Sequence, residues 1–203
     1  MNLRLFSIAY PVTALGPGRR LAIWVAGCKK RCQGCISVEM QPLDAGRDID
    51  IPYLVDKIIN LSCSLEGITI SGGEPFLQAK ALAYLLRLIK RAYPNWSVIV
   101  YSGYTLRTLQ KRYEVHNFIK EIDILIDGPY RENIESNHPL AGSGNQRVHA
   151  LSAKGQNMIK SLNTLSHGVV NLGVTKDHWN MLIGIPSSSG RGKIHQELFV
   201  GKD

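Results

Sequence analysis

The chain is short of several things that usually decide what a protein does. It has no apolar run approaching the roughly 20 residues that span a bilayer, so no membrane segment is expected. Its opening Met1-Asn2-Leu3-Arg4-Leu5-Phe6 has no long apolar run and no cleavage-like site. No signal peptide is therefore expected, and a cytoplasmic location with reduced thiols follows. Cysteine is scarce, with four in the chain. Three of them lie together and the fourth, Cys63, stands alone in an apolar stretch, which excludes an evenly paired disulfide framework. The six histidines are scattered without metal-ligand spacing, and no Ser–His–Asp arrangement is legible. Aromatic residues make up 7% and do not interleave with basic ones, so nucleic-acid binding is not expected despite the net charge of +8.

What remains is an ordinary globular composition of 44% hydrophobic and 20% charged residues over 203 positions, the size of one domain. Lys80, Arg87, Lys90 and Arg91 fall on one predicted helix and read as a solvated face. Arg19, Arg20, Lys29, Lys30 and Arg31 lie near the cysteines in sequence and could steer an acidic partner or an anionic substrate.

Cys28, Cys32 and Cys35 form the pattern C-x3-C-x2-C within eight residues. Three thiolates on one short loop can hold three corners of a cubic iron–sulfur cluster and leave the fourth iron open for chemistry. A structural zinc is the competing reading, with Cys63 or a histidine as fourth ligand. Zinc sites more often come as paired C-x2-C knuckles, and no second knuckle exists here. The cysteines alone leave both readings standing.

Short apolar runs at 21–26, 67–70, 97–101 and 123–126 predict strands, and helical spacing predicts helices at 51–61, 78–91 and 105–112. Asp50 and Thr105 are expected helix caps, and Pro52 suits a first turn. The alternation argues for an α/β fold with a mostly parallel sheet. Each predicted strand is followed by a polar or glycine-rich segment: the cysteines, then Ser71 to Pro75, Ser102 to Tyr104, and Asp127 to Pro129. In such sheets the carboxyl ends of the strands form one ligand-binding edge, so four segments point to one site. After Pro129 the pattern weakens. The runs 169–174 and 181–185, with Lys176-Asp177 between them, predict a hairpin at the sheet edge, and the residues from Ser187 onward read as a mobile tail.

In Gly72-Gly73-Glu74-Pro75, two glycines permit close backbone approach and positive φ. Pro75 stiffens the turn, and Glu74 offers a carboxylate that could meet an ammonium group. On its own the motif also fits a plain strand-to-helix turn.

With these segments in order, the chain resembles the radical S-adenosylmethionine enzymes, and among them the small glycyl-radical activases that serve anaerobic ribonucleoside-triphosphate reductase. The matching segments are Gly16-Pro17-Gly18-Arg19, Ile23 to Gly27, Cys28 with Cys32-Gln33-Gly34-Cys35, Ile70 to Pro75, Tyr101 to Tyr104, Leu125 to Pro129 and Gly142 to Arg147. The resemblance implies a partial (β/α)6-type barrel, with a radical core over residues 1–150 and a hairpin-like extension over 151–203. It implies a [4Fe-4S] cluster on Cys28, Cys32 and Cys35. It implies S-adenosylmethionine held by Ser71, Gly72, Gly73 and Glu74 and lined by Tyr101, Ser102 and Gly103. It places Asp127, Asn145, Gln146 and Arg147 on the target side. Reductive cleavage would yield a 5′-deoxyadenosyl radical, with reduced flavodoxin or ferredoxin as donor and a glycyl-radical enzyme as partner. Ile36-Ser37, the stretch 137–142 and the residues after Arg147 depart from the activase pattern. They keep a second target, a peptide or small molecule, in play, and a non-catalytic zinc or iron–sulfur binding module is the reading from another class.

Overall fold

A computed structural model describes residues 1–162, 165–174 and 180–186. Strand β1 (Asn2–Val12) pairs antiparallel with both β2 (Arg20–Val25) and β3 (Arg47–Asp50). Helix α1 (Ile51–Ile59) leads to β4 (Gly67–Gly72), and α2 (Ala79–Ala92) leads to β5 (Ser97–Ser102). The short helices α3 (Leu106–Gln110) and α4 (His116–Ile119) lead to β6 (Ile124–Asp127). Strand β7 (Arg147–Ala150), helix α5 (Ala153–Leu162) and the strands β8 (Val170–Val174) and β9 (Asn180–Gly184) complete the described chain.

The main sheet has seven strands in the order β3-β1-β2-β4-β5-β6-β7. Its centre, β2-β4-β5-β6, is parallel, and these are the four strands expected from sequence. Their near-continuous apolar runs suit strands covered on both faces. Leu21, Ile23, Ile68, Ile70, Val98, Val100 and Leu125 face the helices and pack with Leu54, Leu82, Leu86 and Phe118. The other face carries Ala22, Ile99, Ile124 and Ile126, covered by Leu140, Leu162 and Ile183. The sequence reading missed β1, β3 and β7. Strand β3 reads Arg-Asp-Ile-Asp and is mostly exposed, so it lacks an apolar pattern. The three antiparallel pairings of the main sheet involve the flanking strands β1, β3 and β7, so the expected parallel sheet forms the centre.

Local signals held where the chain is regular. Asp50 Oδ1 accepts from Tyr53 N at 3.2 Å and Thr105 Oγ1 from Thr108 N at 3.3 Å, each satisfying a helix-end donor. The second long helix, predicted over 78–91, runs over Ala79–Ala92, and a tight 3-10 turn, Pro75–Gln78, leads into it. The late hairpin forms, with β8 and β9 antiparallel, but it is not bonded to the edge of the main sheet. It lies across a face, with Ile183 packed on Val12, Leu15 and Ala22. Asn171 secures it: its Oδ1 accepts from the Thr13 and Ala14 amides at 2.9 Å each, and its Nδ2 donates to Thr13 Oγ1 at 3.0 Å. The expected turn at Lys176-Asp177 and the expected tail from Ser187 lie outside the described residues.

Arg20 sets the amino-terminal end of the parallel strands. Expected near the cysteines, it is fully buried at the start of β2, the far end of that strand. All five of its N–H groups are used: Nε on Thr69 Oγ1, Nη1 on Pro17 O and Ser97 Oγ, Nη2 on Ile68 O and Ser97 O. Burial lowers its pKa to about 10, which still leaves it charged at neutral pH. It belongs to the fold and not to a steering patch.

Candidate active site

The cysteine loop leaves β2 and returns beside its own start. Gly27 N donates to Met40 O and Cys28 N to Gln41 O, both at 2.8 Å, so residues 27–41 form a closed lobe. Inside it, Cys35 N donates to Cys32 O at 3.3 Å, and the tight path puts Gly27, Gly34 and the non-glycine Arg31 at positive φ. All three thiols are half-buried. Burial pushes the Cys28 thiol up, against which the Lys30 amide, 3.4 Å from Cys28 Sγ, pulls it down.

Gly72-Gly73-Glu74-Pro75 is bolted onto this loop. Gly73 N donates to Val25 O at 2.7 Å and Glu74 N to Gly27 O at 2.8 Å. A Cβ on Gly73 would fall 2.3 Å from Gly27 O, and one on Gly72, at φ +107°, would fall 2.4 Å from Val25 O. The glycines are therefore required by the neighbouring backbone of the cysteine strand, a closer constraint than the ligand approach expected from sequence.

Glu74 then turns toward β5. Its Oε1 accepts from Ser102 Oγ at 2.9 Å and Phe76 N at 3.1 Å, and its Oε2 accepts from Gly103 N at 2.8 Å. A carboxylate has about four acceptor positions, so Oε2 keeps one for another donor. Burial pushes the Glu74 carboxyl above the usual carboxylate range, opposed by these three hydrogen bonds and by the Lys30 charge. Lys30, between Cys28 and Cys32, reaches over the Tyr104 ring, with Nζ 4.0 Å from its centroid, and Arg112 lies 5.3 Å from the same ring. Tyr104 thus holds the Lys30 ammonium in place.

These loops line one cavity of about 410 Å³, a volume suited to a cofactor-sized ligand. Cys28, Cys32, Cys35, Ser71, Gly72, Gly73, Glu74, Tyr101, Ser102, Gly103 and Gln146 all line it. The structure does not bring Asp127, Asn145 or Arg147 to its wall. Asp127 is buried, accepts from Leu106 N at the start of α3, and lies 3.1 Å from His149 Nε2. Asn145 donates to Pro129 O at 2.8 Å, and Arg147 is exposed on β7. Gln146 brackets the adjoining loop: Oε1 accepts from Gly142 N and Ser143 N, and Nε2 donates to Gly128 O. The sequence reading missed Phe6, Trp24, Tyr130 and the β9 residues Met181 to Gly184, which also line the cavity. Only the alternation on β2, which puts Trp24 on the same face as Ala22, could have signalled one of them.

The donor set fits an iron–sulfur cluster. Among the described residues no three His, Cys, Asp or Glu side chains converge on one point as ligands of a single metal ion. Three thiolates on separate irons of a cube need no such point. The cavity beside them supplies a free carboxylate acceptor and half-buried hydroxyls for a polar ligand.

A family described as "4Fe-4S single cluster domain" matches residues 14–149, and the chain belongs to this class of cluster-binding proteins. Its relatives narrow the class. It is 29% identical over 147 residues to the anaerobic ribonucleoside-triphosphate reductase-activating protein of Haemophilus influenzae, covering 69% of this chain and 94% of that protein. It is 32% identical over 152 residues to the protein of the same name from Salmonella typhi, covering 70% and 96%. The chain is a member of this activating-protein family. Among solved structures, QueE from Escherichia coli superposes with a TM-score of 0.45 at 17% identity, over 52% of this chain and 54% of its own, a likeness too loose to carry weight.

Proposed function

We propose that the chain is a radical S-adenosylmethionine activase that installs a glycyl radical on an anaerobic ribonucleoside-triphosphate reductase. The observation that carries this is the meeting of Cys28, Cys32 and Cys35 with Ser71 to Glu74 and Ser102-Gly103 on one cavity, in a chain of the activating-protein family. Cys28, Cys32 and Cys35 would hold a [4Fe-4S] cluster, leaving one iron for the cofactor. When bound, the two groups would supply one-electron reductive cleavage of a carbon–sulfur bond, with the electron from an external reduced donor, and hydrogen-atom abstraction from the target.

The chain's own residues do the positioning. The spare acceptor position of Glu74 and the Ser71 hydroxyl suit an ammonium group. Gly73 N and Glu74 N, bonded to β2 and Gly27, keep that acceptor in register with the thiolates. Tyr101 and Trp24 exclude water from the reacting space. Asn145, on Pro129 O, and Gln146, on Gly128 O and the Gly142 and Ser143 amides, act at one remove by shaping the 128–146 loops, and Asp127 acts through Leu106 N at the start of α3. The same reading takes residues 1–150 as the cofactor core, curled as a partial barrel, with residues 151–203 as its extension. It sets the reaction in the cytoplasm, with reduced flavodoxin or ferredoxin as donor near the exposed Lys29 and Arg31.

The test is anaerobic reconstitution followed by dithionite, S-adenosylmethionine and a reductase. About four irons per chain, a brown chromophore and a cofactor-dependent glycyl doublet in electron paramagnetic resonance are expected. Cofactor cleavage without a doublet retires the activase assignment. Stoichiometric zinc without the chromophore retires both enzymatic readings. A second reading, modification of a peptide or small molecule, is favoured by the β9 wall of the cavity, and a substrate-dependent mass change without a protein radical would select it.

A further inference from the structure

The β8–β9 hairpin lies outside residues 14–149, the part matched by the cluster-domain family. About 70% of this chain covers 94–96% of the two activating proteins described above, which leaves about 30% of it unmatched. Yet the hairpin is not an appendage on the surface. Met181, Leu182, Ile183, Gly184 and Ile185 line the same cavity as the three cysteines. Ile183 is 5% exposed against Val12, Leu15 and Ala22, with Met181, Ile185 and Trp24 beside it.

The chemistry of this wall differs from that of the rest. Ser71, Glu74, Ser102 and Lys30 give one part of the cavity its charge and hydrogen-bonding capacity, whereas residues 181–185 carry no charged or polar side chain. A cofactor with an ammonium and a carboxylate has its partners on the polar part. An apolar wall that makes no polar contact holds something uncharged, and adds selectivity by contact area and shape. Asn171 is the fixing point, because it anchors the hairpin to Thr13 and Ala14 without lining the cavity.

We propose that the hairpin is the specificity element of the site: β9 is the surface against which an uncharged polypeptide segment of the target packs, and Asn171 holds that surface in place. This rests on the activase reading. Two variants test it in the anaerobically reconstituted full chain. Asn171→Ala is expected to keep its iron content, its chromophore and its affinity for S-adenosylhomocysteine. Its glycyl doublet on the reductase should fall about tenfold, the scale of a lost pocket contact. Met181→Gln places a polar group on the wall itself and should lower the doublet similarly with the anchor intact, which covers the case that Asn171→Ala fails to fold.

A second readout needs no target. With perdeuterated glycerol present and the reductase omitted, an opened wall exposes the reacting carbon. Deuterium then moves from a C–D bond of glycerol to the 5′ carbon of 5′-deoxyadenosine, leaving a glycerol radical. Deuterium incorporation should rise several-fold in Asn171→Ala. An unchanged doublet yield, an affinity for S-adenosylhomocysteine that falls in step with it, or unchanged deuterium incorporation each overturns the proposal. If the parent chain cleaves cofactor but gives no doublet, the activase reading fails, and the deuterium measurement alone decides on the hairpin.

Discussion

Glu74 joins three loops through one carboxylate. It is 1% exposed, and three of its acceptor positions are taken by Ser102, Gly103 and Phe76. Burial raises its folded pKa above its unfolded value near 4.5. The folded chain therefore holds this proton more tightly than the unfolded chain does, so stability falls as pH rises through the window between the two values. Melting followed by circular dichroism at about pH 5 and about pH 8 should show a larger drop for the parent than for Glu74→Gln. The variant should also lose about 1–3 kcal/mol at both pH values, because its amide sets a donor against a donor at Gly103 N or Phe76 N. An equal pH response in the two proteins would show that Glu74 does not titrate in that range. Glu74 was legible as a site residue from its glycines and proline, but its partners Ser102 and Gly103, at and just past the end of β5, were not, being 28 and 29 residues away. Lys30 was legible only as one charge in a basic cluster, and its place over Tyr104 depends on two loops meeting.

The elements that build the site are joined backbone to backbone. Strand β2 and the turn after β4 meet so closely at Gly27 and Gly73 that no side chain fits, since the nearest atoms are Gly27 O and C at 2.3 and 2.7 Å. These are backbone atoms and cannot rotate aside. Gly73→Ala should push the motif out of register with the cysteine loop and cost about 1–3 kcal/mol, as overpacking does. Far-UV circular dichroism should stay close to the parent's, while reconstituted iron and S-adenosylhomocysteine binding fall together. Normal binding would show that the register tolerates the shift. The four parallel strands, α1 and most of α2 and α3 were readable because apolar period and caps coincide there. Strands β3 and β7, at the two edges of the sheet, and β1, inside it but with mostly part-exposed residues, escaped notice because mixed faces carry little period, and α4 because four residues are too few to show one.

The sheet as a whole depends on one cation at the end opposite the cysteines. Arg20 bridges the loop before β2 to β4 and β5 through five hydrogen bonds to uncharged acceptors. Arg20→Ala leaves several buried carbonyls and hydroxyls unpaired and should cost at least about 3 kcal/mol. Arg20→Lys should not recover it, since an ammonium has three donors and no planar fork. Urea unfolding measures both, and a loss below about 1 kcal/mol would mean water replaces the guanidinium. The other face of the sheet is covered by α5, the 138–142 segment and β9, through Leu162, Leu140 and Ile183. Leu162 of α5 and Ile183 of β9 thus pack against the same sheet that carries the cysteine loop.

Spacing along the chain was enough to set out the cysteine triad, the Gly-Gly-Glu-Pro turn and the order of the parallel strands. Each depends on neighbours in sequence: three thiols on one loop, backbone freedom at consecutive positions, and apolar period within a strand. Which face Glu74 meets, why Gly73 can carry no side chain, where the charge of Arg20 goes and that β9 walls the cavity were decided only by tertiary structure. Those contacts join residues separated by tens of positions, and no local pattern records which distant backbone or side chain will arrive there.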